Sequence, residues 1–376
     1  MPAITPDPRP NFDLEAALAD AERRYAERRP RSRAHIERAS RSMPGGNTRS
    51  VLYFKPFPFV VRDSAGCRLS DLDDHDYVDF LGEYTAGLFG HSDPTIKTGI
   101  REALDSGWVL GGHIENEAIL AEVLCARFPS LESVRFTNSG TQANLMALVT
   151  ARVFTKRQKI MVFRGGYHGG VLLYKAGNAP QNVPFPIVFG RYNDVDATLA
   201  AIREHARDLA AVIVEPMQGS AGCIPAEPAF LQALREACSH HGIVLVFDEV
   251  MTSRLSPGGV QQALGITPDL TTLGKYIGGG APFGAFGGRL DLMGLYDPSR
   301  QDALAHAGTF NNNVITMAAG VAAMTKVLTS DRIDRINASG ETLRSRLNEL
   351  VERRSLPVQF TGRGSMMNIH FRNGAI

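Results

Sequence analysis

IVLVFDEVMTSRLSPGGVQQALGITPDLTTLGKYIGGG occupies residues 243–280. Its opening apolar run, 243–247, follows Gly242 and ends in two carboxylates, Asp248 and Glu249. That is the pattern of a buried strand delivering polar side chains from its tip. A second apolar stretch runs through Leu270 and Leu273 to Gly274, Lys275 and the glycines at 278–280. A carboxylate and a lysine are therefore expected at the ends of two neighbouring strands. In an open α/β sheet the crevice beyond those ends is where ligands bind.

The pairing has a specific chemical use. A lysine amine can form a Schiff base with an aldehyde cofactor, while a carboxylate opposite it keeps a pyridinium nitrogen protonated. One close ion pair at an effective dielectric near 20 is worth about 4 kcal/mol before desolvation, or roughly three pKa units. Taken alone, Asp248 reads equally well as a cap or structural salt-bridge partner, and Lys275 as a solvated amine.

Composition narrows the classes. A chain of 376 residues, 44% hydrophobic and 21% charged, is expected to form one large domain with a smaller lobe. A net charge of +1 argues against nucleic acid or an anionic membrane as partner and favours small molecules. The four cysteines, Cys67, Cys125, Cys223 and Cys238, show no metal-ligand spacing. They fit a reducing, cytoplasmic setting. No apolar run approaches a membrane span, and the N-terminus resembles neither a secretory signal nor a transit peptide.

Working outward toward the N-terminus, residues 1–10 hold four prolines and read as a loose arm. Two helical segments follow, 11–29 and one from Pro30 to Ser42, the latter stopped by Pro44, Gly45 and Gly46. NTRSVLYFKPFPFVV (47–61) suggests short extended pieces, with Arg49 ahead of Tyr53, Phe54, Phe57 and Phe59. An arginine there reads either as a surface residue or as a grip on an aromatic carboxylate. LDDHDYVDF (72–80) alternates like a hairpin strand and leads to Glu83 and Tyr84.

From residue 93 the pattern is βαβ-like, with helices at 96–106 and 115–128 and a strand near 134–136. TNSGTQAN then places Ser139, Gly140 and Thr141 directly before a long helix, which is either an ordinary N-cap or a phosphate site. The strand 159–163 ends in RGGYHGG, where glycines flank Tyr167 and His168; this is a ligand-stacking loop or a plain one. The strand 209–214 ends in Glu215, Pro216, Met217 and Gln218. A further strand is expected at 283–288, the stretch 306–328 puts hydroxyls and amides before a long helix, and the end has strand character.

In this order, NSGTQAN, GGYHG, EPMQG, FDEVMTSR, TTLGKYIGGG and AGTFNNN resemble the class III aminotransferases of the pyridoxal phosphate fold-type I superfamily. The likeness extends from about residue 30 onward. Its nearest branches are the aromatic β-amino acid (β-phenylalanine) aminotransferases and glutamate-1-semialdehyde aminomutase. Met251 after DEV, where many ω-aminotransferases carry glutamine, favours these two branches.

The resemblance implies an α/β fold, with a mainly parallel seven-stranded sheet in a large domain and a smaller α+β domain. It implies an N-terminal arm, helices and small-domain strands in 1–95, the cofactor-binding domain in 96–310, and a linking helix and the start of the C-terminal small domain in 311–376. Family members run further, so the C-terminal part is expected to be truncated. The cofactor implied is pyridoxal 5'-phosphate. Lys275 becomes the Schiff-base lysine and proton carrier, and Asp248 the partner of the ring nitrogen. Val250 and Tyr167 cover the two ring faces, Ser139, Gly140 and Thr141 hold the phosphate, and Glu215 belongs to the cofactor-binding set. Thr309 completes the phosphate site of a neighbouring subunit, implying a homodimer with shared active sites. Arg49 matches the position that binds the substrate carboxylate in the β-phenylalanine enzymes, and Glu83 and Tyr84 line their pocket. The expected reaction moves an amino group from an aromatic β-amino acid to a keto acid such as 2-oxoglutarate. The alternatives are the aminomutase, whose substrate is small and polar, and a binding protein that keeps the fold without turnover.

Overall fold

The computed structural model describes residues 13–372 together with Gly374 and Ile376. The expected arm at 1–10, and Asn11 and Phe12 of the first expected helix, lie outside the described residues. The chain divides into two compact units, Met1–Gly82 with Gly90–Ser92, and Glu83–Phe89 with Asp93–Ile376.

The first unit contains α1 (Leu14–Glu27), α2 (Pro30–Ala39) and an antiparallel sheet of β1 (Val61–Ala65), β2 (Arg68–Asp71) and β3 (Asp76–Val78). Helix α1 starts where the Asp13 carboxylate accepts from the Glu15 and Ala16 amides at 3.1 Å. Two sequence expectations are corrected here. Residues 72–80 are not one strand: the Asp71 carboxylate captures the amides of Asp73 and His75, both at 2.9 Å, and bends the chain before β3. Residues 47–61 are not extended throughout. The Asn47 side chain accepts from the Arg49 amide at 2.9 Å and leads into a helical turn at Ser50–Leu52, with strand only from Val61. Of the aromatic cluster, Phe57 packs on Tyr25 and Phe59 stacks on Tyr77 at 4.7 Å, whereas Tyr53 and Phe54 stay exposed.

The second unit opens with α3 (Pro94–Asp105), α4 (Glu115–Arg127), β4 (Ser133–Thr137), α5 (Gly140–Thr155), β5 (Lys159–Phe163), β6 (Ile187–Gly190), α6 (Val195–His205) and β7 (Leu209–Val214). A two-residue ribbon, β8 (Met217–Gln218) with β9 (Ile224–Pro225), precedes α7 (Pro228–His241), β10 (Val244–Asp248), α8 (Gly259–Leu264), β11 (Leu270–Gly274), β12 (Gly284–Gly288) and α9 (Leu290–Met293). The last elements are α10 (Val314–Ala322), α11 (Ser330–Arg353) and the hairpin of β13 (Gln359–Arg363) and β14 (Met366–His370). The long helix expected after the hydroxyl and amide groups of 306–328 is present. It starts at Val314 with Asn313 as its cap, and from Ala323 it loosens into a π turn, Ala323–Val327.

Seven strands form the central sheet in the order β4, β12, β11, β10, β7, β5, β6, and only β12 runs antiparallel to its neighbours. Its central strands β7 (LAAVIV) and β10 (VLVFD) read as apolar runs because both faces are covered. Val244 and Val246 of β10 join Ala143, Ala147 and Leu148 of α5 in one buried layer. Leu245 and Phe247 join Phe230, Leu231 and Leu234 of α7 in the other. Strand β12 approaches the turn before α5 so closely that a Cβ on Gly284 would lie 2.2 Å from the Ser139 carbonyl oxygen. Gly284→Ala is therefore expected to lower the urea midpoint, with a loss of about 1–3 kcal/mol from overpacking. An unchanged midpoint would show that the turn yields.

Candidate active site

Strand β10 ends in Asp248, which is 4% exposed, and β11 runs parallel beside it with Asp248 opposite Thr272. A buried carboxylate needs donors to offset its lost hydration. Asp248 Oδ2 accepts from His168 Nδ1 and from Asn144 Nδ2, both at 2.8 Å. Oδ1 accepts from the Val250 amide at 3.1 Å and keeps room for another donor. Asn144 is itself oriented, because its Oδ1 accepts from Thr272 Oγ1 at 2.6 Å and its Nδ2 also donates to the His168 carbonyl at 3.0 Å. Burial disfavours a charged His168, but the hydrogen bond and charge of Asp248, aided by Glu215, prevail and raise the imidazole pKa.

Helix α5 supplies the second part. Ser139 caps it, its Oγ accepting from the Gln142 amide at 3.2 Å, while the Gln142 side chain accepts from the Asn138 amide at 2.7 Å. The amides of Gly140 and Thr141 open the helix and have no acceptor within it. With the positive helix end they could hold an anion. Val250 sits against this turn: a Cβ on Gly140 would meet its methyls at 3.0 Å, and one on Gly274 at 3.1 Å. Thr141 Oγ1 accepts from the Gly170 amide at 3.2 Å, and a Cβ on Gly169 would come within 2.2 Å of that hydroxyl. The glycines after His168 thus let the loop lie against the helix start.

Glu215 acts one layer behind. Its Oε1 accepts from the Tyr167 amide at 2.9 Å and its Oε2 from the Gly219 amide at 3.0 Å, so it holds the loop rather than presenting a free carboxylate. The Tyr167 ring is left 44% exposed. Burial pushes the Glu215 carboxyl up to about 7, against the opposing charge of His168 and with the help of Asp248.

Lys275 follows β11 with φ 54 and donates from Nζ to the Tyr84 carbonyl at 2.6 Å. Tyr84 lies in the turn Gly82–Thr85, where Gly82, Glu83, Tyr84 and Thr85 have φ of 55, 50, 51 and 77. Four successive residues are left-handed, which costs roughly 1–2 kcal/mol for each non-glycine.

Asp248, Lys275, Val250, Ser139, Gly140, Thr141, Tyr167 and Glu215 are thus gathered around the ends of β10 and β11 and the start of α5. Tyr84 joins them through its carbonyl. Thr309 is exposed in the segment before α10, and the nearby Asn311 accepts from Asn138 Nδ2 at 3.0 Å. Arg49 belongs to the first unit, exposed beside Tyr53 and Phe54 in sequence. Sequence reasoning missed Asn144 and Thr272, and took His168 only as a loop residue. Asn144 could have been found as the one amide among the alanines and leucine that bury α5. Among the described residues no cluster of three or more His, Cys, Asp or Glu could hold a metal, and no helix is long and apolar enough to cross a membrane.

Residues 53–376 match the family model described as aminotransferase class-III. The chain is 53% identical to a β-phenylalanine transaminase of Variovorax paradoxus over 96% of its own length and 83% of that protein's. The crystal structure of a β-phenylalanine aminotransferase from Variovorax paradoxus superposes with a TM-score of 0.94 at 54% identity, covering 96% of this chain and 84% of the other. A glutamate-1-semialdehyde 2,1-aminomutase of Methanosarcina acetivorans is 37% identical over 91% of this chain and 84% of its own. A transaminase solved with PLP bound matches at a TM-score of 0.85 and 35% identity, over 91% of this chain and 84% of that one.

The raised carboxyl of Glu215 has a consequence for stability. Its folded form holds a proton that the unfolded chain releases near 4.5, so its contribution is full below that pH and is lost as pH rises to about 7. Glu215→Gln is expected to flatten the fall in stability across this window, measured as urea midpoints at several pH values. An unchanged slope would place the titration elsewhere.

Proposed function

Because the chain belongs to the class-III aminotransferases, we propose that it moves the amino group of an aromatic β-amino acid, of the β-phenylalanine kind, to a keto acid such as 2-oxoglutarate. One observation carries the chemistry: Asp248 and Lys275 stand beyond the ends of adjacent parallel strands, with Asp248 fixed by His168 and Asn144. The donor class is supported by the 53% identity to the Variovorax enzyme. It is also supported by Arg49 next to Tyr53 and Phe54, the two aromatics left exposed in that cluster.

The residues fit pyridoxal phosphate, the cofactor of this family. Free amides at the start of α5 suit the phosphate, the remaining acceptor capacity of Asp248 suits a protonated ring nitrogen, and Val250 and the exposed Tyr167 ring suit its two faces. When bound, the cofactor supplies an aldehyde carbon for the amine and a ring that withdraws electrons from the donor carbon. Asp248 would keep the proton on the ring nitrogen, and His168 and Asn144 hold Asp248 in place by donating to its Oδ2. Lys275 Nζ takes the proton from the carbon bearing nitrogen and returns it in the second half of the cycle. Glu215 fixes the loop that carries Tyr167. Arg49 holds the donor carboxylate, and Glu83 and Tyr84 line the donor side.

A homodimer with shared active sites is part of this reading. Thr309 and Phe310 are exposed, and so are Trp108, Val109 and Leu110. Asn312 ties the Thr309 segment to the same loop by donating to the Gly112 carbonyl at 3.2 Å. Large apolar residues exposed together are the kind of surface a second copy covers. Free thiols at all four cysteines suit a cytoplasmic setting.

Lys275→Ala is expected to fold and bind cofactor but lose turnover, and undiminished transamination would sink the assignment. Arg49→Ala should raise the KM for β-amino acids by about 10- to 100-fold, the worth of a charged hydrogen bond, with less effect on simple amines. Equal losses for both would remove its carboxylate role. The decisive test is the visible absorbance of the cofactor-loaded protein on adding β-phenylalanine without keto acid. Bleaching supports the donor class. A colour that β-phenylalanine leaves unchanged moves the reading to the aminomutase, which consumes no keto acid, and no colour at all to a protein without turnover.

A further inference from the structure

Arg254 lies in the helical turn Thr252–Leu255 after β10 and is buried. Its Nε donates to Ser365 Oγ at 3.1 Å and its Nη1 to the Thr85 carbonyl at a longer 3.4 Å. Among the described residues no carboxylate pairs with it. Burial pushes its pKa down to about 10, which leaves it charged at neutral pH. A buried cation without a counter-ion is a costly feature, and an apolar residue of similar size would often serve stability as well.

The carbonyl it holds belongs to the left-handed turn Gly82–Thr85. Thr85 is β-branched at φ 77, and its hydroxyl is buried without a hydrogen-bond partner. Such a conformation persists only where its surroundings over-determine it. Two side chains donate here to successive carbonyls, Lys275 to Tyr84 and Arg254 to Thr85.

We propose that Arg254 is a positioning residue for this turn: by holding the Thr85 carbonyl, one residue after Tyr84, it fixes where Glu83 and Tyr84 present their side chains. It thereby sets the fit of the amino donor without touching it. This rests on the reading that Glu83 and Tyr84 line the donor side.

The test uses the full chain with pyridoxal phosphate and two readouts, amide hydrogen exchange over residues 82–89 and the separate effects on KM and kcat for β-phenylalanine. Arg254→Met removes both hydrogen bonds at similar volume. It is expected to speed exchange in this segment and raise KM about tenfold, with kcat and cofactor absorbance within about twofold. Arg254→Lys, which keeps the charge and so protects folding, should show a smaller change in the same direction. Ser365→Ala, which removes the other hydrogen bond of the guanidinium, should leave exchange over 82–89 and KM unaltered. Gly82→Ala strains the same turn by its φ of 55 while its Cβ meets nothing within 4 Å, and should reproduce the KM effect. Unchanged exchange in both Arg254 variants overturns the proposal, and so does a parallel loss of kcat and cofactor absorbance, the mark of a general structural role. Exchange needs no substrate. Faster exchange in a protein that turns over no β-amino acid would therefore refute the donor assignment and leave the clamp standing.

Discussion

A carboxylate held out of water at the tip of β10 is the constraint around which the second unit is built. Asp248 is tolerable there only because donors reach it from three directions: Asn144 from α5, His168 from the loop after β5, and the Val250 amide from its own turn. Thr272 on β11 orients Asn144 in turn. Each donor belongs to an element whose position is set by apolar packing on the sheet. A shift of α5 along the sheet would strand a buried carboxylate, so the core and the polar site stabilise one arrangement together.

In the proposed cofactor site the same helix would serve both ends. Gly140 and Thr141 open α5 and offer their amides, and Asn144 follows one turn later on the buried face. Helical geometry thus fixes the spacing from those amides to Asn144, which holds Asp248. Glycine is required where backbone must come close, at Gly169 over Thr141 and at Gly284 beneath Ser139. Strain is concentrated elsewhere, in the left-handed residues Glu83, Tyr84, Thr85 and Lys275. A rigid sheet supports a strained rim, and Lys275 sits on that rim.

Local chemistry made much of this legible. The strands at 159–163 and 209–214 coincide with their expected bounds, and the helix after NSG begins at Gly140. Expectation failed where a side chain competed with the backbone, as when Asp71 bent the expected strand at 72–80, and where Asn47 led residues 47–61 into a turn. Alternation was invisible in β10, since Val244 and Val246 face one apolar layer and Leu245 and Phe247 the other. Its face assignment could not be read from polarity at all.

By itself the sequence determined the α/β class, the strands ending in Asp248 and Lys275, the helix start that can hold an anion, and the order of motifs that marks the family. Periodicity, caps and glycines act within a few residues, so they are written locally. Tertiary structure alone decided the full strand order, that β12 turns antiparallel between β4 and β11, and that Glu215 accepts from the Tyr167 amide. It also decided the partners. His168 and Asp248 are 80 residues apart, Asn144 and Asp248 104, and Tyr84 and Lys275 191. Such pairs form only when burial of both sheet faces brings distant segments together, because the free energy that joins them comes from the packed layers and not from the polar groups themselves.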